Sequence, residues 1–131
     1  ALKLNSLEVG GEVEAELIEA QDTVEVGGRL RTSKGTKART IELGDRSEAM
    51  GPLIAVEVRI GEKAEVEDVY AERVELQEKA RARNLYVNEG RFESRCRITG
   101  EVLYRDRVEA EPDVEFAKPP VRTGELPKPP L

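Results

Sequence analysis

The chain has 131 residues, enough for one domain with an apolar core, and 37% of them are charged, against roughly 25% in an ordinary soluble domain. A net charge of −6 argues against general affinity for nucleic acid, and a single cysteine excludes an internal disulfide. No run of about 18 apolar residues predicts a membrane-spanning helix, although membrane association stays open. The lone cysteine fits a reducing compartment, so we expect a cytoplasmic protein. The sequence begins at Ala1 rather than Met, which leaves a removed leader open.

A pair of apolar residues flanking one variable residue recurs every 17 residues in the first half of the chain, each time followed by glycine. The copies begin at Leu7, Val24, Ile41 and Val58. Alternating apolar residues indicate strands, because successive side chains of an extended chain point to opposite faces. A period of about 17 is too short for a helical repeat and predicts one turn of a β-solenoid, a rod of stacked coils.

Within each period the apolar pairs return after five or six residues, which predicts three faces per coil. Coils begin at residues 7, 24, 41, 58, 74, 90 and 108. Leu2 and Leu4 occupy the third face of a preceding coil. Residues 62–83 have a helix-favouring composition, but their period of two favours strands. We predict an all-β, three-faced single-stranded β-helix over residues 1–116, with six to seven coils of 16–18 residues each.

Two stretches interrupt the pattern, and the end of the chain abandons it. Residues 33–37 and 47–52 carry loop residues and predict a bulge or an excursion from the coil. Residues 117–131 are rich in proline, which lacks an amide donor, and predict a mobile polyproline-like tail. Such a tail either binds an aromatic-lined groove of a protein partner or serves as a plain solubilising tail, and we favour the second interpretation.

The residue types leave little room for catalysis. The sequence has no histidine, so histidine-based triads and imidazole zinc sites are excluded. Hexapeptide-repeat acyltransferases and their carbonic anhydrase relatives, which share stacked β-coils, depend on histidine. Cys96 falls at an inward position and predicts a buried core thiol rather than a nucleophile. We therefore expect no catalytic residue and no cofactor.

Metal and phosphate sites are also not expected. Glu65, Glu67 and Asp68 form an acidic cluster, but Glu65 and Glu67 flank the inward Val66, which predicts ordinary solvent-facing carboxylates rather than a cation site. The glycines at 10, 27, 44 and 61 repeat one coil position, which predicts tight corners rather than a phosphate loop.

Charge follows the coils. Residues 7–23 hold six acids and no base, whereas residues 24–40 hold five bases and one acid. Because consecutive coils touch, an acidic band is expected on a basic one, with opposite charges side by side. Outward positions are mostly charged on all three faces, so we do not expect an apolar lateral surface.

The repeat of 16–17 residues, the glycine turns Gly10-Gly11 and Gly27-Gly28, the mixed-charge exterior and the proline-rich tail resemble the bactofilin family of polymer-forming cytoskeletal proteins. The resemblance covers residues 7–116. It implies a right-handed β-helix that associates end to end into filaments and has no enzymatic activity.

Three hypotheses of function follow. The first is a structural scaffold that self-associates into filaments or oligomers through its coil ends, where we place Leu2, Leu4, Leu7, Val108, Val114 and Phe116. The second is an interaction module that dimerises or binds a protein partner through a lateral face, as in the β-helical domain of the cell-division inhibitor MinC. The third, a carboxylate enzyme on a solenoid groove, ranks last because it requires long loops. We expect the first, because an uncapped β-helix end presents unpaired backbone groups around an apolar cross-section.

Overall fold

The computed structural model describes residues 2–131, and all regular structure in that range is β-strand. The strands are Leu2–Leu4 (β1), Leu7–Val9 (β2), Glu12–Ala20 (β3), Thr23–Val26 (β4), Arg29–Lys37 (β5), Thr40–Leu43 (β6), Glu48–Met50 (β7), Leu53–Ile60 (β8), Glu65–Val66 (β9), Asp68–Leu76 (β10), Arg81–Ala82 (β11), Asn84–Phe92 (β12), Arg97–Ile98 (β13), Val102–Ala110 (β14), Glu115–Phe116 (β15) and Val121–Arg122 (β16). They stack in parallel as a β-solenoid of about seven turns, which confirms the predicted fold class.

The first face of the rod follows the predicted repeat. Face 1 consists of β2, β4, β6 and the second halves of β8, β10, β12 and β14. Its inward positions form two continuous columns. One column is Leu7, Val24, Ile41, Val58, Val74, Gly90 and Val108, and the other is Val9, Val26, Leu43, Ile60, Leu76, Phe92 and Ala110. The predicted coil starts are therefore confirmed at every turn.

The other two faces complete each turn. Face 2 comprises the first halves of β3 and β5 followed by β7, β9, β11, β13 and β15. Face 3 comprises β1, the second halves of β3 and β5, the first halves of β8, β10, β12 and β14, and then β16. Leu2 pairs with Ile18 and Leu4 with Ala20, so the predicted face of a preceding coil is confirmed. The apolar core lies between the three faces along the whole rod.

The corner between face 1 and face 2 takes two forms, which the sequence pattern did not separate. In the first two turns it is a tight Gly-Gly turn, and Val13 stacks on Leu30. In later turns the corner is two residues longer, so that Leu30 stacks on Ala49 and Ala49 on Val66. Val13 is therefore aligned with Val66, the second residue of the later apolar pairs, and not with Ala64.

The two predicted interruptions remain inside the stack. β5 runs through residues 33–37 with a bulge of one extra residue, which confirms the bulge and excludes an excursion there. Thr36 replaces an aliphatic residue between Ile18 and Leu53, and its hydroxyl is fully buried without a hydrogen-bond partner among the described residues. In residues 47–52, Ser47 is buried and β7 pairs on both sides, so the predicted excursion is wrong there too.

The stack continues beyond the predicted domain boundary at residue 116. β16 pairs with β14, with Val121 beside Leu103 and Arg122 beside Tyr104. This strand supplies the third face of the last turn. The mobility of residues 117–131 stays a prediction.

Acidic and basic outward positions meet between the first two complete turns. Glu12 lies beside Arg29, Glu14 beside Arg31 and Glu19 beside Lys37 in the ladder. The carboxylate of Glu12 is 3.7 Å from the guanidinium of Arg29. The predicted acidic band on a basic band is therefore confirmed. Because exposed pairs of this kind contribute only about 0.2–1 kcal/mol each, the apolar core provides most of the stability.

We predict that alanine is tolerated at one corner glycine and not at its equivalent three turns away. A Cβ on Gly61 would stand 2.7 Å from both the Leu43 carbonyl oxygen and the Gly44 carbonyl carbon, and these backbone atoms have little freedom to move. Gly61→Ala should lower the free energy of unfolding by about 1–3 kcal/mol. Gly10→Ala is the matched control, because nothing lies within 4 Å of its Cβ position. Urea denaturation of both variants provides the measurement, and equal losses would contradict the corner geometry.

Candidate functional site: the ends of the solenoid and the outer surface of face 3

The C-terminal end of the rod leaves three of the predicted association residues partly uncovered. Val108, Val114 and Phe116 pack against the core but are only partly buried. Their counterparts one turn earlier on face 2, Cys96 and Ile98, are almost completely buried. The difference arises because no further turn covers the last one.

Phe116 closes part of this end with its aromatic ring. The ring meets that of Phe92 edge to face, with centroids 5.4 Å apart and an interplanar angle of 85°. Phe92 has room because Gly90 carries no side chain: a Cβ there would stand 3.1 Å from the Phe92 ring. Phe116 is thus the largest apolar group on the outer layer of this end, as the sequence predicts.

The N-terminal end of the described chain has a similar outer layer. Leu4 and Leu7 are partly buried, whereas Val24 and Ile41, which follow Leu7 in its column, are fully buried. The backbone of Leu2 pairs in β1, and its side chain lies outside the described part of the structure. The structure thus places the predicted residues in two groups at opposite ends of the rod.

The outer surface of face 1 carries a checkerboard of charges from the fourth turn onward. One outward column reads Glu57, Arg73, Glu89 and Arg107, and the column beside it reads Arg59, Glu75, Arg91 and Glu109. Each charge therefore has an opposite charge above, below and beside it. The separations are 3.6 Å for Arg73 and Glu57 and 3.4 Å for Arg107 and Glu109. At the last turn, Arg107 and Glu109 have neighbours on only one side.

The N-terminal half of face 1 follows a different rule. Glu8, Glu25 and Glu42 stack in one outward column, with no base between them. Beside them Thr23 stacks on Thr40. Like charges in neighbouring strands repel, so this column adds no attraction within the rod. The two ends of face 1 consequently present different charges: acidic at the start and mixed at the finish.

Face 3 presents an apolar outer column, which corrects the expectation that outward positions are charged on all three faces. We call this column the tyrosine stripe; it consists of Ile54, Tyr70, Tyr86, Leu103 and Val121. Its members alternate with inward residues along each strand, so their side chains point away from the core. The prediction failed because the apolar pairs on either side of each member drew the pattern to the inward positions.

The two tyrosines form the middle of the stripe. Their rings stack with centroids 4.9 Å apart and an interplanar angle of 29°. The hydroxyl of Tyr86 donates a hydrogen bond to Oε1 of Glu101 at 2.9 Å. Burial raises the pKa of both phenols, and for Tyr86 the hydrogen bond to Glu101 raises the pKa further.

A basic ridge runs along the corner between face 1 and face 2. Arg46, Lys63, Lys79 and Arg95 occupy the same corner position in successive turns, with positive φ angles of 58–63°. The amide of Arg46 donates to the Glu62 carbonyl at 2.7 Å, so each left-handed residue links its turn to the next. Lysine and arginine are uncommon in this conformation, and no sequence signal identified the ridge.

The residues considered for chemistry have structural partners. Cys96 is fully buried, its Sγ donates to the Gln77 carbonyl at 2.9 Å, and burial raises the pKa of its thiol. The thiol is therefore held in its unreactive protonated form. Glu65 lies 3.5 Å from Arg81, and Asp68 accepts two hydrogen bonds from Arg83. Within residues 2–131, no group of three carboxylate or thiol side chains is arranged to hold a metal ion.

The comparisons with known proteins leave the family undetermined. The chain matches no protein-family profile, and no curated protein or solved structure is significantly similar to it. None of the described residues belongs to a helix that could cross a membrane. The class of protein that the coordinates define is therefore a parallel β-solenoid, and its function is argued from its surfaces.

We predict that Tyr86→Phe reduces the alkaline destabilisation of the protein. The pKa of Tyr86 is raised in the folded state, so its contribution to stability is complete below about pH 10, the pKa of an unperturbed tyrosine, and is lost as the pH rises above that value. At pH 8 the variant should lose about 1 kcal/mol because the hydrogen bond to Glu101 is absent. Between pH 8 and pH 11 it should lose less stability than the natural chain in urea denaturation. Equal losses would show that Tyr86 is not shielded from solvent.

Proposed function

We propose that the protein is a non-enzymatic structural scaffold that self-associates end to end, in the manner that its resemblance to bactofilins implies. The observation that carries the proposal is the unfinished edge of face 1 at residues 107–110. There a strand with one free side adjoins the partly uncovered Val108 and Phe116. A free strand edge beside an apolar surface is a template for pairing with another chain.

The charges on face 1 favour one orientation of the junction. If a second copy continued the ladder head to tail, Glu109 would lie over Glu8 of that copy, and both are acidic. If two C-terminal ends met about a two-fold axis, antiparallel pairing centred on Val108 would place Arg107 opposite Glu109 of the second copy, and the reverse. The second arrangement completes the checkerboard on both copies. We therefore propose a tail-to-tail junction.

The apolar residues supply the affinity of this junction, and the charges select the orientation. Exposed ion pairs are worth about 0.2–1 kcal/mol each, too little to hold two rods together. Val108 and Phe116 of each copy would be covered by the other copy, as inner residues are covered by the next turn. Pro119 and Pro120 lack amide donors, so pairing at face 3 is limited and the junction depends on face 1.

A scaffold built only from such junctions is a dimer, and a longer filament requires the N-terminal end as well. Leu4 and Leu7 are partly uncovered there. Two N-terminal ends would bring the Glu8 residues of both copies close together, so this contact is expected to be weaker at low salt, where charge repulsion is least screened. We accordingly propose that the tail-to-tail pair forms first.

A second candidate function is the lateral interaction module. The observation that favours it is the tyrosine stripe, an apolar column on one side of the rod. Apolar side chains arranged on a sheet face are typical of a protein-binding surface. A lateral module would associate side by side, which broadens the particle rather than lengthening it.

We predict that Phe116→Glu reduces self-association. The new carboxylate would have to be desolvated at the junction beside Glu109 and Glu115, and the apolar contact would be lost. Sedimentation velocity across a concentration series provides the measurement, with circular dichroism to confirm the fold. Val56→Glu is the matched control, because Val56 is 40% exposed and lies in the middle of the rod. Equal association of both variants and the natural chain would contradict the role of this end.

We also predict that two charge reversals abolish association separately and restore it together. Arg107→Glu makes the edge of face 1 wholly acidic, and Glu109→Arg makes it wholly basic, so neither variant pairs with itself. An equimolar mixture pairs the acidic edge of one with the basic edge of the other. Sedimentation of each variant and of the mixture tests this.

The same experiment separates the two orientations. A head-to-tail junction places Glu109 over Glu8, so Glu109→Arg alone would strengthen association. That result, or a mixture no more associated than its components, would contradict the tail-to-tail proposal.

A further inference from the structure

The proline-rich segment does not extend away from the rod. After β16, a turn at residues 123–125 redirects the chain: Oγ1 of Thr123 accepts a hydrogen bond from the Glu125 amide at 3.3 Å and donates one to the Glu125 carbonyl at 3.1 Å. At the other end of the segment, Cδ1 of Leu131 lies 3.3 Å from the position that a Cβ of Gly35 would occupy. Gly35 belongs to β5, near the opposite end of the rod.

The length of the segment determines its path. From β16 to β5, face 3 passes through β14, β12, β10 and β8, which makes five ladder steps. At about 4.8 Å per step the distance is about 24 Å. Residues 123–131 in a polyproline conformation span about 28 Å at about 3.1 Å per residue. The segment therefore has little slack and crosses the strands of face 3 almost directly.

The burial of Ile54 indicates what the segment covers. Ile54 points outward between the inward Leu53 and Ala55, and it does not belong to the core cluster. It is nevertheless only 8% exposed. Pro52, two residues earlier, is among the groups nearest to the Gly35 position where Leu131 lies. An outward residue this well buried requires cover from outside the sheet, and Leu131 lies in that region.

We propose that the tyrosine stripe is a binding site for a proline-rich segment in the polyproline conformation, and that its occupant is the chain's own residues 126–131. The chemistry of the two surfaces matches. Stacked aromatic rings and neighbouring aliphatic side chains form an apolar track, and prolines in an extended segment dock on such tracks with a low entropy cost because the segment is already ordered. Leu126 and Leu131 provide apolar side chains at the two ends of the docked segment.

This strap has a consequence for assembly. While it is docked, the tyrosine stripe is closed to a second copy, so the apolar surface that remains for self-association lies at the ends of the rod. The strap also runs away from the last turn and leaves the edge of face 1 open. Its docking is independent of the tail-to-tail junction, since residues 107–110 take no part in it.

The test uses the full chain with both strap leucines changed, Leu126→Glu together with Leu131→Glu. The acidic side chains disfavour contact with the apolar stripe, so the strap should be released while the solenoid stays intact. The probe is a synthetic peptide with the sequence of residues 123–131, labelled for fluorescence anisotropy. We expect the peptide to bind the double variant at least tenfold more tightly than the natural chain, whose own segment competes at a high effective concentration.

Two controls make the result specific. Lys128→Glu changes the charge of an exposed strap residue without removing an apolar contact, so this variant should bind the peptide as weakly as the natural chain. A peptide carrying both leucine substitutions should not bind the double variant. In nuclear magnetic resonance spectra, the natural chain should show contacts between the Leu131 methyls and Gly35, and the double variant should lose them.

Either of two results would overturn the proposal. The first is a folded double variant that does not bind the peptide, or binds it no more tightly than the natural chain does. The second is a natural chain without contacts between Leu131 and Gly35. Neither result affects the junction at face 1, which the Phe116 and Arg107 variants test separately.

Discussion

The structure depends on one constraint: every turn must return the chain to the same inward positions so that the parallel ladder stays in register. A shift of one residue on any face would turn its apolar side chains to solvent and its charges to the core. The constraint explains why Val24, Ile41 and Val58 form an unbroken column at strictly spaced positions. It also explains why the corners absorb all irregularity, through Gly-Gly turns early in the rod and longer turns with a left-handed residue later.

The same constraint creates the surfaces that matter for function. Because each turn is covered by the next, the last turn necessarily lacks cover, and Val108 and Phe116 remain partly exposed there. Outward positions are free of the core and can carry any pattern that suits neighbouring strands. On face 1 that pattern is a charge checkerboard, and on face 3 it is an apolar stripe. The rod thus has separate surfaces for pairing at its end and for holding its own proline-rich segment.

Much of the fold could be predicted from the sequence because the inward columns repeat with little variation. The coil starts, the three faces and the position of Leu4 beside Ala20 all follow from the period. The bulge in β5 could be located but not resolved, since Thr36 is polar and yet occupies a core position. The alignment of Val13 with Val66 could not be predicted, because corner length is set by local backbone geometry and the overall period hides it.

The candidate site was predicted only in part. The apolar residues at the ends follow from counting turns, and the structure places them where the period does. The tyrosine stripe was missed because Tyr70 and Tyr86 lie 16 residues apart and become neighbours only when the turns stack. The path of the strap has no local signal at all: proline composition predicts an extended segment, but its direction depends on the turn at Thr123 and on an apolar surface elsewhere in the chain.

The central claim is that the rods join end to end through the C-terminal edge of face 1. Small-angle X-ray scattering of the natural chain across a concentration series tests it most directly, because the method reports the length and the cross-section of a rod separately. The account predicts that particle length approaches twice that of one rod as concentration rises, while the cross-sectional radius of gyration stays constant. A particle that keeps the length of one rod at every concentration, or that grows in cross-section instead, would contradict it.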